Sequence, residues 1–121
     1  MRFVTIIRNN MIDISFYTCK KQLIGTSRSF VYPMSSCLAN IRVQCSYKQQ
    51  GYGSRILLET ENCLQHSFHV SIISLLAMQP TGGDEIIQFY TKNGYQLSDN
   101  NIGTFDDYTQ IYDLVRMHKY L

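Results

Sequence analysis

The stretch that decides the fold is residues 43–54, VQCSYKQQGYGS, in which a β-rich segment runs into Gly51-Tyr52-Gly53. Two glycines flanking one residue at a strand-to-helix junction let successive backbone N–H groups point at one spot, and the helix N-terminus adds a partial positive charge there. The stretch therefore predicts a phosphate-binding turn. Glycines at such a corner also occur where only a tight turn is needed, so the motif alone leaves both interpretations open.

The residues after this turn predict a helix, because their apolar period changes to that of one helical face. This face is formed by Tyr52, Ile56, Leu57, Thr60, Cys63 and Leu64. The run VSIISLLAM at residues 70–78 then predicts a strand covered on both faces, since it is almost continuously apolar and rich in β-branched residues.

A second helix is predicted to follow this strand and to stop at Gly94, a residue suited to a left-handed cap. The order Thr81-Gly82-Gly83-Asp84 predicts a capping box, in which the Thr81 hydroxyl and the Asp84 carboxylate satisfy first-turn amides. The side chains expected to point inward from this helix are Ile86, Ile87 and Tyr90.

The remaining apolar segments predict strands on both sides of this central part. A polar loop, residues 98–109, is predicted between the last two, and the element order is β-β-β-β-α-β-α-β-β. This order is typical of an α+β fold, a mixed α/β sandwich. The predicted strands are residues 3–8, 12–18, 22–31, 37–47, 70–78, 95–97 and 110–119.

Two motifs in this order resemble the GNAT superfamily of N-acyltransferases. Residues 48–53, KQQGYG, are similar to its pyrophosphate loop, and residues 86–95, IIQFYTKNGY, are similar to its A-x-x-F-Y-x-x-x-G-F signature. QLIG at residues 22–25 is similar to the start of its third strand, so the resemblance covers roughly residues 12–97. It implies one GNAT-like domain, residues 1–121, with a mostly antiparallel central sheet, a splayed parallel strand pair and two main helices.

The resemblance implies acetyl-CoA, or a related acyl-CoA, as co-substrate. The pantetheine chain is expected to pair with the main chain near Ile41 and Val43 on one side and near Leu75 on the other. Lys48 and Arg55 are the nearest cations for the phosphate charge. The residues expected at the pyrophosphate are Lys48, Gln49, Gln50, Gly51, Tyr52, Gly53 and Ser54.

The implied activity is direct transfer of an acetyl group to a primary amine, carried by a small molecule or a protein. By resemblance, Tyr90 donates a hydrogen bond to the CoA sulfur as the catalytic acid, and a phenol of ordinary pKa ~10 is protonated at neutral pH. The alternative for Tyr90 is a ring that only packs on the sheet. The alternative for the whole chain is a GNAT-like binding or assembly module with weak or no catalysis.

A general base is not predicted. Many relatives use a Glu on the fourth strand, whereas residues 34–47 contain no Asp or Glu. His66, His69 and Asp13 have the sequence contexts of surface residues. The chain also has Gly83 where the family usually has an Asn, and Lys48 in place of the more usual Arg or Gln.

The start of the chain also departs from the family. Only Asn9-Asn10 separates the first two predicted strands, where relatives place one or two helices that form part of the acceptor site. The acceptor pocket is therefore expected to be open or to be completed by a second subunit, for which a homodimer is the simplest arrangement.

Composition limits the remaining possibilities. A chain of 121 residues, 45% hydrophobic and 17% charged, has the length and composition of one packed domain. The net charge of +2 is too small to predict a nucleic-acid partner. No apolar run approaches the ~20 residues of a membrane span, and residues 1–7 are too short for a signal peptide.

The cysteines predict neither disulfides nor a metal site. Cys19, Cys37, Cys45 and Cys63 lack C-x-x-C pairing and are predicted to be buried thiols in a reducing compartment, which suggests a cytoplasmic protein. The spacing Cys63-x-x-His66-x-x-His69 has no fourth ligand at zinc-site spacing, so no metal is expected.

Overall fold

The computed structural model describes residues 1–98 and 103–121. They divide into two compact units, residues 1–73 with Leu121, and residues 74–120. In chain order the elements are β1 (Arg2–Arg8), β2 (Met11–Tyr17), β3 (Leu23–Tyr32), β4 (Ser35–Val43), a short 3-10 helix (Cys45–Tyr47), α1 (Tyr52–Phe68), β5 (Ile72–Pro80), α2 (Glu85–Lys92), β6 (Gln96–Leu97), β7 (Gly103–Asp106) and β8 (Ile111–Tyr120).

The first unit is built on an antiparallel meander of β1, β2, β3 and β4, as the sequence predicts. β1 turns into β2 through Asn9-Asn10, and Asn9 adopts a left-handed φ of 55°. The alternation in β2 buries Ile12, Ile14 and Phe16 on one face. No helix precedes Cys45 in the described chain, so the connection between the first two strands is a turn.

α1 packs on β3, and small strand residues allow the two elements to approach closely. A Cβ on Gly25 would lie only 2.8 Å from Ile56 Cδ1. The Ser27 and Thr60 hydroxyls are both buried and lie 2.8 Å apart, so a hydrogen bond joins the strand to the helix. The predicted helical face is confirmed, with Ile56, Leu57, Thr60 and Leu64 buried.

The second unit contains most of β5, with α2 and the last three strands. β6 and β7 both pair antiparallel with β8, in registers that include Gln96↔His118 and Phe105↔Tyr112. α2 is followed by Gly94 at φ 95°, the left-handed residue that the sequence predicts at this end. Tyr95 directly after it is 3% exposed.

The strands follow the order β1-β2-β3-β4-β5-β8-β6, with β7 also on β8. β5 begins in the first unit as the parallel neighbour of β4 and continues in the second. The mixed, mostly antiparallel α+β class predicted from the sequence is confirmed. β7 was not predicted: it lies in the segment expected to be a polar loop, of which residues 99–102 fall outside the described part of the chain.

Two predictions about burial are wrong. β5 is not covered on both faces, because Leu76 is 50% and Met78 43% exposed while its alternate residues are buried. The cysteines are free, but Cys19 and Cys45 are exposed, and the other two are only half-buried. The apolar or thiol character of a side chain does not reveal whether another element of the fold covers it. Within the described residues, neither helix is long and apolar enough to cross a membrane.

Candidate functional site

The predicted phosphate turn lies in the first unit, between the end of β4 and the start of α1. After the short 3-10 helix, the backbone is left-handed at Gln49, with φ 60°, and again at Gly51, with φ 82°. The Gln50 side chain donates to the Ser46 carbonyl over 3.1 Å, which ties the turn to the 3-10 helix. These two left-handed residues, with Gln50 between them, lead the chain into α1 at Tyr52.

The N-terminus of α1 has a glycine at its cap. Gly51 is the N-cap residue and carries no side chain, and no acidic residue lies in the first turn. The first N–H groups of a helix have no partner within the helix, and the helix dipole gives them a partial positive charge. The first turn of α1 therefore favours an anion electrostatically. Lys48 and Arg55 are exposed cations on either side of this turn.

The other predicted cofactor residues are divided between the units. Ile41 and Val43 are half-buried on β4, immediately before the turn, in the first unit. Leu75 is 4% exposed on β5, in the second unit. Residues 41–54 thus form one continuous part of the candidate site, whereas Leu75 belongs with the elements around α2.

Tyr90, the predicted acid, lies on α2 in the second unit. Its ring makes edge contacts with Phe89, at 5.1 Å between centroids, and with Tyr95, at 5.6 Å. Burial raises the pKa of the Tyr90 phenol above its ordinary value of 10.0. The phenol is therefore protonated throughout the neutral range, as a hydrogen-bond donor must be.

The predicted capping box of α2 is wrong. The Thr81 hydroxyl bonds to Asp113 Oδ1 at 3.1 Å, and Asp84 caps nothing with its side chain. Gln79, fully buried at the end of β5, caps the helix instead: its Oε1 accepts from the N–H of Ile86 at 2.7 Å and of Ile87 at 3.1 Å. The capping-box pattern considers only nearby sequence, whereas this cap comes from the preceding strand.

Glu85 closes the rest of this helix end. Its carboxylate accepts the Asp84 N–H at 3.0 Å, and hydrogen bonds from the Glu85 and Asp84 backbone lower the pKa of the Glu85 carboxyl. The two helices therefore differ: side chains bind first-turn amides of α2, whereas α1 has a glycine at its N-cap and no acidic residue in its first turn.

Gln79 is the capping residue that sequence reasoning missed. One signal was available: it continues the buried alternation of Ile73, Leu75 and Ala77, and a polar side chain at a core position must find a hydrogen-bond partner. In the described residues, no group of three or more His, Cys, Asp or Glu side chains is placed to hold a metal ion.

Comparison with solved structures defines the class of fold: the chain has the fold of the GNAT N-acetyltransferases, as the two motifs predicted. The spermidine/spermine N-acetyltransferase SpeG of Vibrio cholerae, solved with manganese ions, aligns with a TM-score of 0.80 at 14% identity, over 93% of this chain and 66% of that one. A chimera of SpeG with hSSAT gives 0.79 at 15% identity, over 93% and 68%.

The present chain thus spans about two thirds of the length of these structures. No family model matches the sequence, and no curated protein matches it significantly. At this level of identity the likeness concerns the fold.

Proposed function

We propose that this protein is an acetyl-CoA-dependent N-acetyltransferase that moves an acetyl group directly to a primary amine. The observation that carries the proposal is the N-terminus of α1, which has a glycine N-cap, lacks an acidic residue in its first turn and follows the left-handed residues Gln49 and Gly51. In this proposal the turn binds the CoA pyrophosphate through backbone N–H groups, assisted by Lys48 and Arg55. The pantetheine pairs with the main chain near Ile41, Val43 and Leu75.

In the chemical step, the neutral amine nitrogen attacks the thioester carbonyl carbon, and the C–S bond breaks. Tyr90 donates its hydroxyl proton to the departing thiolate, which its protonated state at neutral pH supports. The amine loses one proton as the amide forms. Residues 34–47 contain no Asp or Glu, so in the proposed mechanism this proton passes to water, and a proton from water restores the Tyr90 phenol.

Binding is tested by thermal unfolding with acetyl-CoA. A ligand that binds only the folded state stabilises it by ~2.7 kcal/mol at a hundredfold excess over Kd. For a chain of this size that corresponds to a rise in Tm of roughly 10 °C. An unchanged Tm at millimolar acetyl-CoA would refute the cofactor proposal.

A matched pair of variants separates the turn from general stability. Gly51, at φ 82°, and Gly82, at φ 94°, both have open space around the position of a Cβ. An alanine at either position incurs the same left-handed strain, about 1–2 kcal/mol. Gly51→Ala is expected to weaken the acetyl-CoA shift and Gly82→Ala to preserve it. If both variants lose the acetyl-CoA-induced rise in Tm to the same extent, the assignment of the phosphate site is contradicted.

Catalysis is tested by following thiol release with candidate amines, beginning with spermidine because the structural neighbours act on it by name. Tyr90→Phe keeps the ring and removes the donor, so kcat is expected to fall by roughly 10²-fold or more with little change in acetyl-CoA binding. An unchanged rate and pH profile would exclude Tyr90 as the acid.

A second candidate function is a GNAT-like binding or assembly module. The two-residue turn between β1 and β2 favours it, since no acceptor-side helix lies between these strands. Acetyl-CoA binding without transfer to any of a panel of amines would support the module over the enzyme.

A homodimer is proposed to complete the acceptor side. β1 is an edge strand of the described sheet, and four of its apolar side chains are about half exposed, as expected of a strand that pairs with another chain. Sedimentation equilibrium is expected to show a dimer that Ile6→Lys dissociates. A monomer at the concentration of the activity assay contradicts this part of the proposal. The exposed residues are Phe3, Val4, Ile6 and Ile7.

A further inference from the structure

Gln79 is the most completely satisfied buried polar side chain of the second unit. It is 0% exposed, at the end of β5. Its Oε1 accepts two hydrogen bonds from α2, and its Nε2 donates to the Pro80 carbonyl over 3.3 Å. Three hydrogen bonds hold the carboxamide in one orientation, and two of them end on the first turn of a single helix.

α2 is a short helix, so the contacts that hold its first turn contribute strongly to its position. The helix has eight residues, none of them fully buried. An isolated helix of this length is unstable in water, so its position is set by the contacts at its ends. At its N-terminus these contacts come from Gln79 and Glu85. Gln79 links this end of the helix to a strand of the sheet, whereas Glu85 belongs to the helix itself.

The first turn of α2 leads directly to Tyr90. Ile86, whose N–H is held by Gln79, lies four residues before Tyr90, so its carbonyl is the helical hydrogen-bond acceptor for the Tyr90 N–H. We propose that Gln79 is a positioning residue, whose carboxamide fixes the first turn of α2 and thereby sets where the Tyr90 hydroxyl lies. This inference rests on the acid role proposed for Tyr90.

Gly83 lies beside the same cap. A Cβ at this position would lie 2.5 Å from Glu85 Oε2 and 3.2 Å from Gln79 Nε2. A side chain at residue 83 would therefore require the Glu85 carboxylate, which accepts the Asp84 N–H, to shift. Gly83→Asn is accordingly expected to disturb the cap.

The test compares Gln79→Leu, Gln79→Asn and Gln79→Glu with a control, Gln88→Leu. Leucine removes the acceptor at similar volume, and asparagine withdraws it by one methylene. Glutamate keeps the acceptor for the two α2 amides, which the helix N-terminus favours, and loses only the Nε2 donor to the Pro80 carbonyl. Gln88 lies on α2 but is exposed, and its amide bonds only to Asp84 Oδ2.

The first readout is independent of activity. In protein labelled with 13C at the tyrosine Cζ, the Tyr90 resonance is identified by its loss in Tyr90→Phe, and its titration is followed by NMR. Gln79→Leu and Gln79→Asn are expected to shift the Tyr90 midpoint towards that of exposed tyrosines, because a displaced ring loses burial beside Phe89 and Tyr95. Gln79→Glu and Gln88→Leu should retain the wild-type midpoint.

The second readout is steady-state kinetics. Gln79→Leu is expected to lower kcat by roughly 10- to 100-fold, since a misplacement of about 1 Å has an effect of that size. KM for acetyl-CoA should stay within about twofold, because the phosphate turn is on α1. Gln79→Glu should rescue kcat to within about threefold of wild type.

The outcomes separate the two proposals. A wild-type protein without acetyl transfer refutes the proposed function, and the Tyr90 titration then still decides the role of Gln79. If Gln79→Leu and Gln79→Asn both titrate as Gln88→Leu does, Gln79 is a structural cap only, and the inference is overturned. If Gln79→Leu does not fold, the comparison of Gln79→Asn with Gln79→Glu replaces it. A shifted Tyr90 midpoint in Gln79→Asn with a wild-type midpoint in Gln79→Glu supports the inference, and equal midpoints in the two variants overturn it.

Discussion

Gly25→Ala should be among the most damaging single-methyl additions to this protein. The new Cβ would clash with the Arg42 carbonyl oxygen and lie 2.8 Å from Ile56 Cδ1 and 3.2 Å from Val43 Cα. Overpacking a core typically costs ~1–3 kcal/mol. The upper end, ~3 kcal/mol, is expected here because a backbone carbonyl of the paired strand cannot rotate away as a side chain can. This free energy corresponds to a fall in Tm of roughly 10 °C.

The assay is urea unfolding followed by circular dichroism, with Gly103→Ala as the matched control. A Cβ at Gly103 meets only Leu114 Cδ1, at 3.8 Å, an ordinary contact. The control should therefore be neutral or stabilising by ~0.4–1 kcal/mol, since alanine restricts the unfolded chain. If the free energy of unfolding of Gly25→Ala lies within ~0.5 kcal/mol of the wild-type value, which is about the range of neutral surface substitutions, the close approach of α1 to β3 is refuted.

A second variant identifies the contact. Ile56→Val removes the δ methyl that the new Cβ would meet, and alone it should cost ~0.5–1.5 kcal/mol. Combined with Gly25→Ala, the loss should be smaller than the sum of the two single losses, because the clash with Cδ1 no longer exists. Ile56 is in the second turn of α1, so Gly25→Ala should also reduce the acetyl-CoA shift. If the losses in unfolding free energy of the two single variants are strictly additive in the double variant, the new Cβ at residue 25 does not contact Ile56.

Three further predictions concern hydrogen bonds and thiols. Thr60→Val should cost ~1–3 kcal/mol by leaving the buried Ser27 hydroxyl unpaired, and Ser27→Ala/Thr60→Val should recover part of this loss in urea unfolding. The Arg28 hydrogen bond lowers the pKa of Asp13 below 3.8, so its stabilisation is present above that pH and is lost as the pH falls through the folded-state value. In Asp13→Asn, the free energy of unfolding should therefore fall less steeply as the pH is lowered than it does in the wild type. A thiol reagent should modify the two exposed cysteines quickly and Cys63 slowly, because burial raises the pKa of the Cys63 thiol.

Each of these three predictions has a result that contradicts it. For the hydroxyl pair, a double variant no more stable than Thr60→Val shows that Ser27 is not left unpaired by the single change. An acid limb unaltered by Asp13→Asn shows that the Arg28 ion pair has no effect on folding. Uniform labelling of all four thiols contradicts the burial of Cys63.

Parts of the fold and site could be predicted because they depend on local patterns. The change from strand to helix period after residues 51–53 placed α1, and the structure confirms that Ile56, Leu57, Thr60 and Leu64 of the predicted face are buried. The left-handed residue predicted at the end of α2 is likewise confirmed at Gly94. Tyr90 was assigned through a motif on one helix, and its catalytic role stays a prediction.

Other features could not be predicted from neighbouring residues. β5 looked covered on both faces, yet Leu76 and Met78 are exposed, because burial depends on which element lies against a face. Thr81 had the sequence position of a cap but bonds to Asp113, more than thirty residues away. The role of helix cap predicted for Thr81 is filled by Gln79, on the preceding strand.

The sequence by itself determined both helices, most of the strands, the glycine turn before α1 and the resemblance to an acyltransferase fold, because periodicity and glycine placement act over a few residues. Only the tertiary structure decided which group caps α2. Its first-turn amides are bound by a buried carboxamide on the preceding strand and not by the Thr81 and Asp84 side chains of the local motif. A hydrogen bond between distant segments depends on how the chain brings them together, and no local pattern contains that information.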